Sequence, residues 1–224
     1  MNTQPYYPIG LQSFEEIRNL KAVYVDKTEF VYKLTHSSKS VFLSRPRRFG
    51  KTLLTSTLQC YFEGRKELFE GLAIDGMETE WTQYPVLRFD LSTAKSDDPD
   101  EVTESISGQL RKYEAIYGKE DDSVSLSRRM TDLIQHANTQ TGKKVVVLID
   151  EYDAPILEVM HDDEKREAIR KLLRKFYAPL KACDEHLRFV FLTGISMFSQ
   201  LSIFSELNNL EIISKSSDYA AICG

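Results

Sequence analysis

The chain has no apolar run longer than five residues. Its longest, 145–149 and 219–223, fall far short of the roughly 20 residues that a membrane-crossing helix needs, so no membrane partner is expected. Residues 1–10 carry neither a basic start nor an apolar stretch and do not read as a secretory signal, so the cytoplasm is the expected compartment. Cysteine is scarce: Cys60, Cys183 and Cys223 are odd in number and far apart, so neither a disulfide framework nor a CxxC metal knuckle is available. Basic residues are in deficit, 29 Lys and Arg against 34 Asp and Glu, and the whole-chain charge offers no footprint for nucleic acid. There is no internal repeat and no low-complexity tract. His36, His136, His161 and His186 are scattered without the spacing of metal ligands.

What remains is an ordinary globular composition over 224 residues, enough for one large domain, or one and part of another. Short apolar runs alternate with longer amphipathic ones. Ser13 with Glu16, and Asp26 with Glu29, have the spacing of capping boxes and predict two short N-terminal helices. Strands are predicted over 40–44, 86–91, 144–150 and 187–193; the run 210–213 reads as a strand or as part of a helix. Helices are predicted over 51–62, 99–117, 126–139 and 163–177, the last ended by Pro179. Residues 145–149 contain nothing polar and have to be covered on both faces, as in a central parallel strand. Strands separated by helices predict an open α/β domain with a mostly parallel sheet and right-handed crossovers. In such sheets ligands sit at the carboxyl ends of the strands, which directs attention to the residues after Ser44, Leu91, Asp150 and Thr193.

Between the first strand and its helix lies Ser44-Arg45-Pro46-Arg47-Arg48-Phe49-Gly50-Lys51-Thr52. Its GKT end matches the phosphate-binding pattern GxxxxGK[ST], in which backbone amides at a helix N-terminus wrap phosphates, a lysine reaches the outer ones and a hydroxyl ligates magnesium. Arg45 stands where the first glycine belongs, a steric departure that Pro46 offsets by stiffening the loop. A bare GK[ST] arises by chance in about one chain in ten of this length, so context has to decide. The most apolar strand ends in Asp150-Glu151, an acidic pair that suits metal ligation by the first carboxylate and polarisation of an attacking water by the second. The bland alternative is that GKT merely opens a helix and Asp150-Glu151 merely caps a segment; two independent halves in the right order favour the first reading. ATP and Mg2+ are the expected ligands. Nucleotide contacts are expected from Arg47, Arg48, Phe49, Gly50, Lys51, Thr52 and Leu53, magnesium contacts from Thr52 and Asp150, and chemistry from Lys51 and Glu151. For each of Arg45, Arg47 and Arg48 two readings stand: neutralising phosphate charge, or facing solvent and acidic neighbours such as Asp153.

With these residues in view the chain resembles the AAA-ATPase-like proteins, in which a P-loop domain is usually followed by a PD-(D/E)XK nuclease-like domain. The resemblance runs through Pro8-Ile9-Gly10 with Phe14-Glu15-Glu16-Ile17-Arg18, Tyr24-Val25-Asp26-Lys27-Thr28, Leu43 through Thr52, and Ile149-Asp150-Glu151-Tyr152-Asp153-Ala154-Pro155. A fifth block joins Leu192-Thr193-Gly194-Ile195-Ser196 to Leu201-Ser202-Ile203-Phe204 and Leu207-Asn208-Asn209-Leu210. The resemblance implies a three-layer P-loop NTPase of the additional-strand, catalytic-glutamate type, with Arg45 normal for the family, Glu151 as catalytic base and Thr193, or second Ser196, as a polar sensor. An ordinary strand end bonding local backbone is the competing reading of Thr193. It also implies an N-terminal helical segment (1–39) packed on an ATPase core (40–224), and a fragment whose C-terminal nuclease-like effector lies beyond Gly224.

Other features carry more than one reading. The 24–28 block folds over the nucleotide or simply caps a helix. Arg166, Arg170 and Arg174 form a stripe that is either a nucleic-acid face, or a trans-acting finger in a homo-oligomer, or a solvated helix surface. Asp163-Glu164-Lys165 has the shape of a nuclease half-motif but sits at a charged helix start and is discounted. A nucleotide-binding regulatory or scaffold module without significant hydrolysis is the main functional alternative, and a small-molecule kinase a third.

Overall fold

The computed structural model describes residues 6–119, 125–196 and 210–223. Five strands, β1 (Ser40–Ser44), β2 (Val86–Asp90), β3 (Val145–Asp150), β4 (Leu187–Gly194) and β5 (Glu211–Ile212), form one sheet in the order β2-β3-β4-β1-β5. Every pairing is parallel. All six residues of β3 are buried, and each apolar one withdrawn from water contributes about 1.5–3 kcal/mol. Period-two alternation splits the strands between two cores. Val145, Val147, Ile149, Val190 and Leu192 face one, whereas Val146, Leu148, Phe189 and Phe191 face the other.

The first core is closed by α4 (Pro99–Tyr117), α5 (Leu126–Thr141) and α7 (Asp163–Ala182), through residues such as Ile106, Leu133 and Phe176. The second is closed by α1 (Phe14–Asn19), α2 (Thr28–Ser37) and α3 (Lys51–Phe62), through Phe14, Leu34 and Leu58. A short α6 (Ala154–Glu158) follows β3. The result is the three-layer α/β architecture with one strand, β4, inserted between the strand before the GKT loop and the strand that carries the acidic pair. That insertion makes the end of β4 the bridge between them.

Among the described residues strand β2 is an open edge of the sheet, which invites pairing with other chains. Two side chains of α4 cover it. The Tyr113 hydroxyl accepts from Arg88 N (2.7 Å) and donates to Arg88 O (2.9 Å), while Gln109 accepts from Asp90 N (2.8 Å) and donates to Asp90 O (2.9 Å). Both exposed peptide positions are thereby satisfied as a neighbouring strand would satisfy them.

Several sequence expectations shift. Ser13 caps α1 as expected, accepting from Glu16 N at 3.2 Å. The Asp26–Glu29 capping box does not form: Lys27 occupies the cap position without a side-chain bond. Asp26 instead takes Thr28 N, Thr28 Oγ1 and, from another segment, Ala73 N, because a short carboxylate at a chain corner can satisfy two stretches at once. Helix α7 runs through Pro179 to Ala182. Proline removes a single intrahelical donor, and burial of Pro179 and Leu180 together with the Cys183 N to Pro179 O bond (2.8 Å) offsets that loss. The 126–139 helix continues to Thr141, where Gly142 stops it at φ 64°. Strand β2 stops at Asp90, with Leu91–Ala94 turning into a 3-10 helix. The 210–213 run is a short strand followed by a 3-10 turn, Ile213–Lys215. Residues 201–204 and 207–209 of the fifth block lie outside the described residues.

Candidate functional site

The loop between β1 and α3 is built around Lys51. Its side chain is buried, and its ammonium donates to the carbonyls of Arg45 (3.0 Å) and Pro46 (3.1 Å). Gly50 stands at the cap of α3 with φ 83°, and Arg48 at φ 67°; the latter costs about 1–2 kcal/mol for an L-residue. Arg45 is not among the left-handed residues, so nothing at the missing-glycine position requires glycine, and the steric concern raised by the sequence falls away. Its amide continues the sheet to Gly194 O (3.1 Å), and its guanidinium donates to Ser44 O (3.1 Å) and Ser214 O (2.6 Å). Arg45 is therefore an anchor between the loop and the 213–215 turn, not a cleft residue.

Arg47, Arg48, Gly50, Lys51, Thr52 and Leu53 line a cleft of about 930 Å³ together with Glu151. Phe49, expected among the contacts, is 42% exposed and outside that lining. Opposite the loop stand Asp90, Ser92 and Lys95, and the segment 9–12 forms a third wall. Four cations (Arg47, Arg48, Lys51, Lys95) face two carboxylates (Asp90, Glu151), in a chain of net charge −5. A cleft of this balance concentrates anions, and the N-terminus of α3 adds its amides and dipole.

The acidic pair divides its work by backbone geometry. Asp150 ends β3 fully buried, and one carboxylate oxygen accepts from the Thr193 hydroxyl. That hydroxyl oxygen in turn accepts from Glu151 N (3.3 Å), and Thr193 O accepts from Tyr152 N (2.8 Å). Glu151 itself sits at φ 50°, a conformation that non-glycine residues hold only where the surroundings enforce it. The turn sends its side chain into the cleft, where one carboxylate oxygen lies 3.9 Å from Lys95 Nζ. Asp150 and Thr193 do not line the cleft; they sit behind it. Of the expected residues, Glu151 and the loop apart from Phe49 therefore share one cavity, and the Thr193 hydroxyl links the Asp150 carboxylate to the Glu151 amide. Lys95 was not singled out from sequence, although the end of the second strand was flagged; a lone lysine five residues past a strand carries no pattern.

A second, apolar recess of about 270 Å³ shares Gly50 and Leu53 with the cleft. Val23, Tyr24, Val25 and Lys27 form one side, Ile222 and Cys223 another. Burial pushes the Tyr24 hydroxyl up to about 12 and also raises the Cys223 thiol, so both stay neutral. Burial opposes ionisation of Asp26, but bonds from Thr28 and Ala73 outweigh it and hold the carboxyl below its ordinary value. Asp26 is thus committed to local structure. The basic stripe on α7 is largely neutralised by its own helix, Arg166 pairing with Asp163 (2.5 Å) and Arg170 with Glu167 (2.8 Å), which favours the solvated-surface reading. Lys165 of the nuclease-like half-motif pairs with Asp97 across a surface (2.5 Å). Among the described residues no helix is long and apolar enough to cross a membrane, and no cluster of His, Cys, Asp and Glu could hold a metal.

Comparison with known proteins gives several likenesses. An uncharacterised protein in the vnfD 5′ region of Azotobacter chroococcum mcd 1 is 41% identical over 219 residues, 97% of this chain; the chain spans 42% of that relative's length. Among solved structures the chain is similar to the ORC2 protein of Aeropyrum pernix, in its ADPNP–ADP complexes, with TM-score 0.42 and 16% identity over 94% of this chain and 49% of that one. It is also similar to Drosophila ORC bound to GC-rich DNA and Cdc6, with TM-score 0.37 and 9% identity over 92% of this chain and 59% of that one. The family model described as a predicted AAA-ATPase matches residues 8–204, and the chain belongs to this AAA-ATPase-like family.

Proposed function

We propose that the chain binds MgATP in the 930 Å³ cleft and hydrolyses it slowly, coupling nucleotide state to a C-terminal effector. One observation carries the reading: the GKT loop and Glu151, distant in sequence, line the same cation-rich cavity. The phosphates lie against the amides around Gly50 and the first turn of α3. Lys51 exchanges its bonds to the Arg45 and Pro46 carbonyls for phosphate oxygens, a gain because those oxygens carry formal negative charge and the carbonyls only a dipole. Arg47 and Arg48 add charge at the rim. Glu151 accepts a proton from the attacking water, its backbone held by Thr193. The base occupies the apolar recess next to Gly50, between Tyr24 and Cys223.

For magnesium, the Thr52 hydroxyl in the cleft lining is a hard oxygen donor, and the Asp150 carboxylate, buried behind that lining, would act on the ion's water shell. When bound, the ion neutralises charge on the outer phosphates. The effector is proposed, by family resemblance, to be a nuclease-like domain, and a homo-oligomer would allow an arginine to act in trans.

A second reading, nucleotide binding without significant turnover, is favoured by the approach of Lys95 to Glu151 at 3.9 Å, since a cation at the base competes with water for it. Phosphate release by the intact chain, Lys51→Ala and Glu151→Gln separates the two. Hydrolysis predicts that both variants fall to background; equal rates in all three remove it, and tight binding without release selects the second reading.

A further inference from the structure

The sequence block that contains Asp150-Glu151 continues into Tyr152-Asp153, to which the proposed chemistry gives no task. Asp153 is fully buried and has no ion-pair partner among the described residues. A buried carboxylate without a cation is retained only if hydrogen bonds replace its water. Here the replacement comes from the chain just past β4: Ile195 N at 3.1 Å from one oxygen and 3.3 Å from the other, and Ser196 N at 2.6 Å. Burial raises the carboxyl above its ordinary range, and those two amides, with a smaller contribution from the Lys51 charge, restrain the rise.

Neighbouring contacts tighten the same junction. The Tyr152 hydroxyl donates to Ser196 O (2.6 Å), and the Tyr177 hydroxyl, from α7, donates to Tyr152 O (3.1 Å). Gly194 has no space for a side chain: a Cβ there would lie 2.4 Å from Tyr152 Cε1 and 2.7 Å from Asp153 Oδ1. One residue before Gly194 is Thr193, whose hydroxyl touches Asp150 and Glu151 N.

We infer that Asp153 is a positioning residue: by clamping the Ile195 and Ser196 amides it fixes the end of β4, and through it Thr193, in register with Asp150 and Glu151. The inference rests on the proposed hydrolysis only for its consequence on rate. Asp153→Asn keeps the shape and one acceptor oxygen; Asp153→Ala removes both. The clamp predicts graded opening, with amide hydrogen exchange at Ile195 and Ser196 accelerated about ten-fold or more in Asp153→Ala and less in Asp153→Asn. It predicts that the Kd for MgATP stays within about two-fold while kcat falls about ten-fold or more, as misplacement of a reacting group would cause. Gly194→Ala, which crowds the same junction from the other side, is expected to reproduce this split and serves if Asp153→Ala does not fold. Unchanged exchange at Ile195 and Ser196 in Asp153→Asn and Gly194→Ala overturns the inference, as does accelerated exchange with wild-type kcat. If the unsubstituted chain releases no phosphate, the hydrolysis reading fails, and accelerated exchange then still supports the clamp.

Discussion

Thr193 is the sharpest point at which to perturb this site, because one hydroxyl donates to the buried Asp150 carboxylate and accepts from Glu151 N. Thr193→Val keeps the shape and removes the hydroxyl, leaving a carboxylate that is 1% exposed without its donor. Losing a hydrogen bond to a buried charged group costs about 1.5–3 kcal/mol. At about 2–4 °C per kcal/mol for a domain of this size, the melting temperature is expected to drop by roughly 3–12 °C. Thr193→Ser keeps the hydroxyl and deletes one buried methyl, for about 1 kcal/mol. Thermal melts of the three proteins give the stability order Thr, Ser, Val, and phosphate release gives the activity order, with Ser near the parent and Val about ten-fold or more below it. If valine is tolerated as well as serine in both assays, Thr193 is an ordinary strand end and the bridging argument is wrong.

Tyr113→Phe removes the hydroxyl that satisfies both backbone groups of Arg88 on the open edge; it is expected to lower stability to urea by about 1–2 kcal/mol and to raise concentration-dependent association, read by light scattering. Asp26 has a folded pKa below its ordinary value of 3.8, so its carboxylate stabilises the fold above that value and loses its contribution as pH falls through the lowered one. The stability difference between the parent and Asp26→Asn, from denaturant melts, is accordingly expected to be full at neutral pH and to shrink below 3.8; a difference that grows on acidification contradicts the sign.

The features legible in the sequence were those written in local pattern. Five apolar residues at 145–149 allow only a strand covered on both faces, and a strand, GKT and an apolar helix in that order confine the loop to a sheet edge. Strand order was not legible in local pattern, because nothing local to 187–194 says that it lies between β1 and β3; only the family resemblance, through its additional strand, implies that insertion. Arg45 illustrates the limit well. The pattern marks it as a departure, yet its fate depends on Ser214, far along the chain, and on a backbone angle that only the fold sets. Lys95 and the Ile222–Cys223 wall of the recess escape for the same reason, and Asp153, read from sequence as an acidic neighbour of the loop arginines, is bonded instead to the Ile195 and Ser196 amides: each gains meaning from a partner that the chain brings near only after folding. Pro179 lies inside α7 and does not end it, because burial of its neighbours outweighs one missing donor.

A triphosphate and its metal, we propose, are held between the GKT loop and Glu151. Calorimetric titration of MgATP into the folded chain, in parallel with Lys51→Ala, tests this directly. One-site binding is predicted, with the Kd raised at least about ten-fold in the variant, a loss of about 1.4 kcal/mol or more. No heat and no rise in melting temperature with MgATP, or equal affinity in the two proteins, would contradict it.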